Sequence, residues 1–268
     1  MTVEIETYAP SKRRNSIGYA LIVLSILFML MDASIKFTSS PQVAQAQAQL
    51  QFPMQLTHAI AVVALICTLL YAIPATAVLG ALLLTGYLGG AIALHLRVDN
   101  PLFTHTLFPV YIALFIWGGI WLLDRSLREV FPFTSRSEAG HSSKRSVVTG
   151  YILTALAALL ILLTAVVKFT YVPKTGSPPP MFPPHHIHLL GYIEIVCTAL
   201  YLFPATSFFG AVLVTGYMGG ATAVNLRSGQ AVLPSLVPVL FSILAWAGLW
   251  LRDSRLRVLF PFRRTVSR

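Results

Sequence analysis

The sequence predicts an all-α membrane protein: eight transmembrane helices arranged as two parallel four-helix bundle repeats, with the N and C termini both cytoplasmic. Three observations carry that prediction. Hydrophobic residues make up 56% of the 268, charged residues only 10%, and the mean hydropathy is +0.74, outside the soluble range. The segment Thr85-Gly86-Tyr87-Leu88-Gly89-Gly90-Ala91 returns as Thr215-Gly216-Tyr217-Met218-Gly219-Gly220-Ala221, each copy inside an apolar run. The 19 lysines and arginines also fall unevenly, fourteen on one side of the expected spans and five on the other.

The elements follow in order. Residues 1–15 form a polar N-terminal tail that ends near the basic triplet Lys12-Arg13-Arg14. Span 1 covers about 16–35, close to the roughly 20 residues needed to cross the hydrocarbon layer. Asp32-Ala33-Ser34-Ile35-Lys36 is a poor signal-cleavage site, so this run is expected to stay in place. Residues 37–55, with Pro41, Pro53 and alternating glutamines, are too polar to span and read as a loop with an interfacial helix. Spans 2, 3 and 4 fall at about 56–73, 76–96 and 102–123, divided by Pro74 and by the turn-rich Arg97-Val98-Asp99-Asn100-Pro101. A cytoplasmic linker, 133–146, is rich in Ser, Arg and Lys. Spans 5 to 8 then fall at about 147–167, 186–203, 206–225 and 233–251, before a basic tail, 263–268.

The second half repeats the first. Gly150-Tyr151 and Lys168-Phe169 match Gly18-Tyr19 and Lys36-Phe37 at an offset of 132. Cys197, Tyr201 and Pro204-Ala205-Thr206 match Cys67, Tyr71 and Pro74-Ala75-Thr76 at 130, and Trp246, Trp250 and Phe260-Pro261-Phe262 match Trp117, Trp121 and Phe131-Pro132-Phe133 at 129. So small a drift means colinear spans, with repeat one at 16–132 and repeat two at 147–262. The fourteen basic residues flank the inner side, and four spans per unit return the chain to the side it started from. The repeats are therefore expected to be parallel, related by an axis along the membrane normal. Three glycines in seven residues would weaken a water-exposed helix, but in a bilayer small residues let helices approach. Gly86, Gly89, Gly90, Gly216, Gly219 and Gly220 are therefore expected to form helix-packing surfaces.

The glycine-tyrosine opening of the first span, the lysine at its end, the Pro-Ala-Thr turn, the Thr-Gly-Tyr-x-Gly-Gly-Ala helix followed by Leu-Arg, and the basic closing tail together resemble the DoxX-like family of small four-helix membrane proteins. Here the unit appears twice, over nearly the whole chain. The resemblance implies the fold and a membrane location. Through the family name it also implies a link to quinone oxidation, with a quinone as cofactor and a membrane redox complex as partner.

Ionisable residues inside spans are costly and read as sites by default. In repeat one, Asp32 and Lys36 lie one turn apart near the outer end of span 1, His58 opens span 2, and His95 with Arg97 closes span 3. Repeat two keeps Lys168, His188 and Arg227, puts Asn225 in place of His95, and replaces Asp32 by Thr164 while introducing Glu194 two turns into span 6. Glu194 is expected to pair with Lys168, because a carboxylate cannot reach far toward water. These residues, Thr164 apart, form the ten-residue candidate ligand-binding set, weighed against plain anchoring of helix ends at headgroups. Such a patch suits an anionic or quinone-like head with an apolar tail.

Other signals point to bland roles. His185-His186-Ile187-His188 has metal-ligating residues, but repeat one offers only His58 there, so no metal site is assigned. Haem is disfavoured because Asn225 breaks the equivalent of the His58–His95 pair. The four tryptophans suggest an aromatic belt at the inner interface, and Pro178-Pro179-Pro180 a stiff outer loop. The basic residues sit between spans, which leaves the bilayer rather than nucleic acid as the partner. No phosphate loop, nucleophile elbow or triad is present. The expected role is a non-enzymatic ligand-binding or accessory subunit of the inner membrane, with a quinone-linked oxidoreductase subunit and a small-molecule transporter as the alternatives.

Overall fold

A computed structural model describes residues 12–38, 40–134, 143–170 and 181–262, and every regular element among them is helical. The first half holds α1 (Lys12–Phe37), α2 (Pro41–Leu50), α3 (Thr57–Ala72), α4 (Ala77–Arg97), α5 (Phe108–Leu123) and α6 (Arg125–Arg128). The second holds α7 (Lys144–Thr170), α8 (Pro184–Leu202), α9 (Ser207–Arg227), α10 (Val232–Ser235), α11 (Val237–Arg252) and α12 (Leu256–Leu259). The tail 1–11, most of the linker, Pro178 to Pro180 and the tail 263–268 lie outside the described residues.

Six segments among the described residues are long and apolar enough to cross a membrane: Lys12–Phe37, Met54–Ala72, Ala77–Arg97, Leu102–Leu123, Lys144–Thr170 and Ser207–Arg227. The sequence reading placed eight, and the two that fall short do so for legible reasons. Helix α8 has 19 residues, but His185, His186, His188 and Glu194 dilute its apolar character. Helix α11 has 16 residues, because Pro238 near its start lacks an N–H and crowds the turn before it, so the chain breaks at Leu236 and α10 stands apart. Pro109 breaks the first half at Leu107 in the same way, with a π-helical turn at Leu102–Thr106 upstream.

The faces follow bilayer chemistry. Leu24, Leu27, Val62, Ile66, Leu114, Leu163 and Val166 are exposed, whereas Ser25, Thr68 and Thr198 are buried. Each of these three hydroxyls donates to the carbonyl four residues back, which pairs it within its own helix. The polar loop after α1 carries α2, where the Ser40 hydroxyl accepts from the Val43 N–H at 3.4 Å and caps the first turn. Val43 and Gln47 point inward from one face of this helix.

The two halves share a set of matching tyrosine and tryptophan hydrogen bonds. The Tyr71 hydroxyl donates to the Ile116 carbonyl at 2.9 Å, and Tyr201 to that of Ala245 at 3.0 Å. The indole of Trp117 donates to the Thr85 hydroxyl at 2.9 Å, and Trp246 to Thr215 at 2.8 Å. Trp121 and Trp250 donate to the carbonyls of Phe131 and Phe260. The expected aromatic belt is thereby corrected: each indole N–H is spent inside its bundle, and Trp117 is buried.

Helices α4 and α9 cross at the centre and are the most enclosed of the spans. A β-carbon at Gly89 would sit 1.9 Å from the Gly216 carbonyl oxygen, and one at Gly219 would sit 2.0 Å from that of Gly86. The contact is isologous: the glycine motif of each copy packs on the glycine motif of the other. Gly90 and Gly220 face Ala223 and Ala93, so the expected packing residues meet across the repeat boundary. Both helices end at the same edge of the molecule, where Arg97 and Arg227 reach one glutamine, so the two copies run parallel. Phe131 of the first half packs on Phe208 and Phe209 of the second, which extends the shared core to the opposite edge.

Candidate functional site

In the first repeat the site begins with helical spacing. Four residues separate Asp32 from Lys36 on α1, which stacks them on one face, and the Lys36 ammonium bonds Asp32 Oδ1. A third group arrives from α4: the Tyr87 hydroxyl donates to Asp32 Oδ2 at 2.6 Å, and the ammonium also lies 5.8 Å from the Tyr87 ring centroid. Tyr87 belongs to the glycine motif. Its glycines face the other repeat while its tyrosine turns back to its own carboxylate.

The second repeat builds the same trio from a different acid. Lys168 donates to Glu194 Oε2 at 2.7 Å, so the pairing expected from the loss of Asp32 is present. Tyr217 Oη lies 3.3 Å from the same oxygen, and the Thr164 hydroxyl, standing where Asp32 would be, bonds Oε1. The Lys168 ammonium is 5.6 Å from the Tyr217 ring centroid. Moving the acid from α7 to α8 carries it inward: Glu194 is 1% exposed, against 27% for the side chain of Asp32.

The remaining candidates do not join these trios. His58 and His188 stack on Phe37 and Phe169, with ring centroids 6.1 and 5.8 Å apart. His95 Nδ1 lies 2.8 Å from the Asn100 amide nitrogen, and its ring packs near His105. Asn225 lies in the last turn of α9, where its carbonyl accepts from the Ser228 hydroxyl. Arg97 and Arg227 converge on Gln51: Nη2 of each donates to Gln51 Oε1, at 2.9 and 2.7 Å, and Arg227 Nε donates to the Gln51 carbonyl at 3.2 Å.

A cluster that sequence reading missed lies between the repeats. His185 and His186 donate from Nε2 to Asp99 Oδ1 at 3.1 and 2.7 Å. Hydrogen bonds from His186 and then His185 hold the Asp99 carboxyl below its ordinary range. The three ligand atoms lie within 4.8 Å of one another and are of the type that binds transition metals. His188, the third histidine of the run, is on Phe169 instead.

Between the first bundle and helices α9 and α11 lies a cavity of about 1030 Å³, large enough for a lipid-sized molecule. Its walls are mostly apolar, with Phe28, Leu82, Ile112, Met218, Val239 and Trp246 among them. Asp32, Lys36, Tyr87 and His95 also line it, whereas Glu194 and Lys168 do not. The two trios therefore differ in setting: one lines the groove, and the other buries its carboxylate inside its own bundle, away from the groove.

The family model described as DoxX-like matches residues 20–119 and again 152–248. The chain belongs to the DoxX-like family. Two matches in tandem over most of the chain agree with the duplication seen in the helices. No curated protein sequence and no solved structure matches it. In this DoxX-like protein the tyrosine of the recurrent motif escaped the sequence reading because its neighbours are glycines, which drew attention to packing. Its recurrence at 87 and 217 was the available signal. Asp99 and Gln51 carried no such signal, since His185 and Arg227, which they meet, lie 86 and 176 residues away in the other repeat.

Proposed function

We propose that this DoxX-like protein is an inner-membrane protein of eight spans, α1, α3, α4, α5, α7, α8, α9 and α11, with both termini cytoplasmic and repeats at 16–132 and 147–262. In this reading it binds a lipid-soluble molecule in the groove between its repeats, as a ligand-binding or accessory subunit rather than an enzyme. The distribution of lysine and arginine supports the orientation. Small mismatches of span length, such as that of α11, are absorbed by tilt or local thinning of the bilayer.

The observation that carries the reading is the apolar groove with the Asp32–Lys36–Tyr87 trio in its wall. Apolar walls take a chain or ring, and a paired ammonium, carboxylate and phenol offer both donors and acceptors to its head. The same trio favours a second reading, a quinone-linked oxidoreductase subunit, because quinone carbonyls accept from such donors. Transport is less well supported: the deep acid Glu194 is 1% exposed and already holds Lys168.

Native mass spectrometry of the full chain in mild detergent tests the proposal. One amphiphile should be retained per chain and lost on filling the groove with Val239→Trp, while Val166→Trp on the outer face leaves it in place. Equal lipid retention by all three proteins would overturn the reading, and a bound quinone would move it to the second.

A further inference from the structure

The Arg97–Arg227 pair is charged in a way its surroundings leave unbalanced. Two guanidiniums, one from the last turn of α4 and one from the last turn of α9, meet on a single neutral amide oxygen. They lie close enough to repel each other. No acidic side chain among the described residues pairs with either, and Asp99, two residues beyond Arg97, is held by His185 and His186. Nε and Nη1 of Arg97 are enclosed and reach no acceptor among the described residues. Unpaired N–H donors on a charged group are costly, so an acceptor that carries negative charge would be favoured beside Arg97.

Its position says what kind of acceptor. The residues next to the pair line the groove: Leu94 and His95 before Arg97, Ala223 and Leu226 before Arg227, Leu50 and Phe52 on either side of Gln51. Arg97, Arg227 and Gln51 are not themselves part of the groove's lining, so the charge sits just beyond it, beside the end that Leu94, Leu226 and Phe52 line, where a head group would emerge from the groove. Planar guanidiniums match the tetrahedral oxygens of a phosphate better than an ammonium does.

We propose that Arg97 and Arg227 form an oxyanion clamp and that the groove's ligand is an amphiphile with an anionic phosphate head, the phosphate at the clamp and the chains along the groove. This rests on the groove being a ligand site, and it adds the ligand's class and a reason for the fusion. The clamp takes one arginine from each repeat, so a single four-helix unit holds only half of it.

The test uses the full chain in detergent, titrated with phosphatidic acid, with phosphatidylcholine of the same chains, and with inorganic phosphate, and followed by native mass spectrometry and thermal shift. Phosphatidic acid should bind about tenfold more tightly than phosphatidylcholine, the worth of roughly one charge-assisted hydrogen bond. The double variant Arg97→Gln/Arg227→Gln should erase that preference, weakening phosphatidic acid binding about tenfold more than phosphatidylcholine binding. Gln51→Glu guards against misfolding: it supplies the missing charge from within, so it should raise the melting temperature and abolish the phosphatidic acid preference. Retention of the preference in either variant would overturn the clamp while leaving the groove reading intact. Inorganic phosphate competing as well as the lipid, with Val239→Trp having no effect, would assign the clamp to a soluble oxyanion and overturn the groove reading.

Discussion

The two carboxylates differ in depth, and their replacement should differ in cost. Glu194 is 1% exposed and faces Lys168 at 2.7 Å, so Glu194→Gln leaves a partly buried ammonium without its counter-charge, at a cost of roughly 3 kcal/mol. Asp32 and Lys36 have side chains 27% and 19% exposed along the groove, and Asp32→Asn should cost roughly 1 kcal/mol. Unfolding in mixed micelles measures both, and equal costs would contradict the deeper burial of Glu194. Asp99 offers a test by pH. Its carboxyl is held below its ordinary 3.8 by His186 and then His185. A depressed folded-state pKa adds stability above the unfolded value and loses it as pH falls through the lowered one. The melting-temperature difference between the wild type and Asp99→Asn should therefore hold down to about pH 4 and vanish only below the carboxylate range. A difference already gone at pH 5 would contradict the contact. The Glu194–Lys168 pair was legible in the sequence because a carboxylate inside a span must find a donor nearby. The Asp99 cluster was not, since nothing in a linear reading brings the end of α4 to the start of α8.

At the scale of the element, the crossing of α4 and α9 turns a sequence motif into an architecture. Gly89→Val should prevent the two helices from meeting, because its β-carbon would lie 1.9 Å from the backbone of Gly216, where no side chain can give way. The expected result is loss of the monodisperse folded protein, or destabilisation by at least about 3 kcal/mol. Gly118→Ala, whose β-carbon would find its nearest neighbour at 3.6 Å, should behave as wild type. If the two variants melt alike, the glycine motif is not the seam. Helix content and most boundaries followed from apolar runs of spanning length. The breaks before Phe108 and Val237 did not, because Pro109 and Pro238 stand inside apolar runs whose hydropathy hides them. Helix α2 was legible only as an interfacial helix in a polar, glutamine-rich loop, and the role of Gln51 depends on where the chain turns after it.

For the whole molecule, duplication produces symmetry at the seam and asymmetry in the sites. The glycine contact and the tyrosine and tryptophan bonds obey the pseudo-twofold, whereas only one trio opens on the groove and only one inter-repeat histidine–aspartate cluster exists among the described residues. The duplication was readable from the offsets; the asymmetry of access was not, because it arises from moving one carboxylate to a neighbouring helix. The proposed topology makes its own prediction. Cys67 and Cys197 are buried, so single cysteines introduced at Ser228 and Glu129 report alone. An impermeant maleimide should label the first in intact cells and the second only after lysis, and the reverse pattern would invert the orientation.

An electron cryo-microscopy map of the full chain in nanodiscs containing phosphatidic acid tests the central claim most directly. Elongated density should run along the groove past Asp32 and Tyr87, with its head between Arg97 and Arg227. A groove collapsed on its own side chains, with both arginines turned out to solvent, would contradict it.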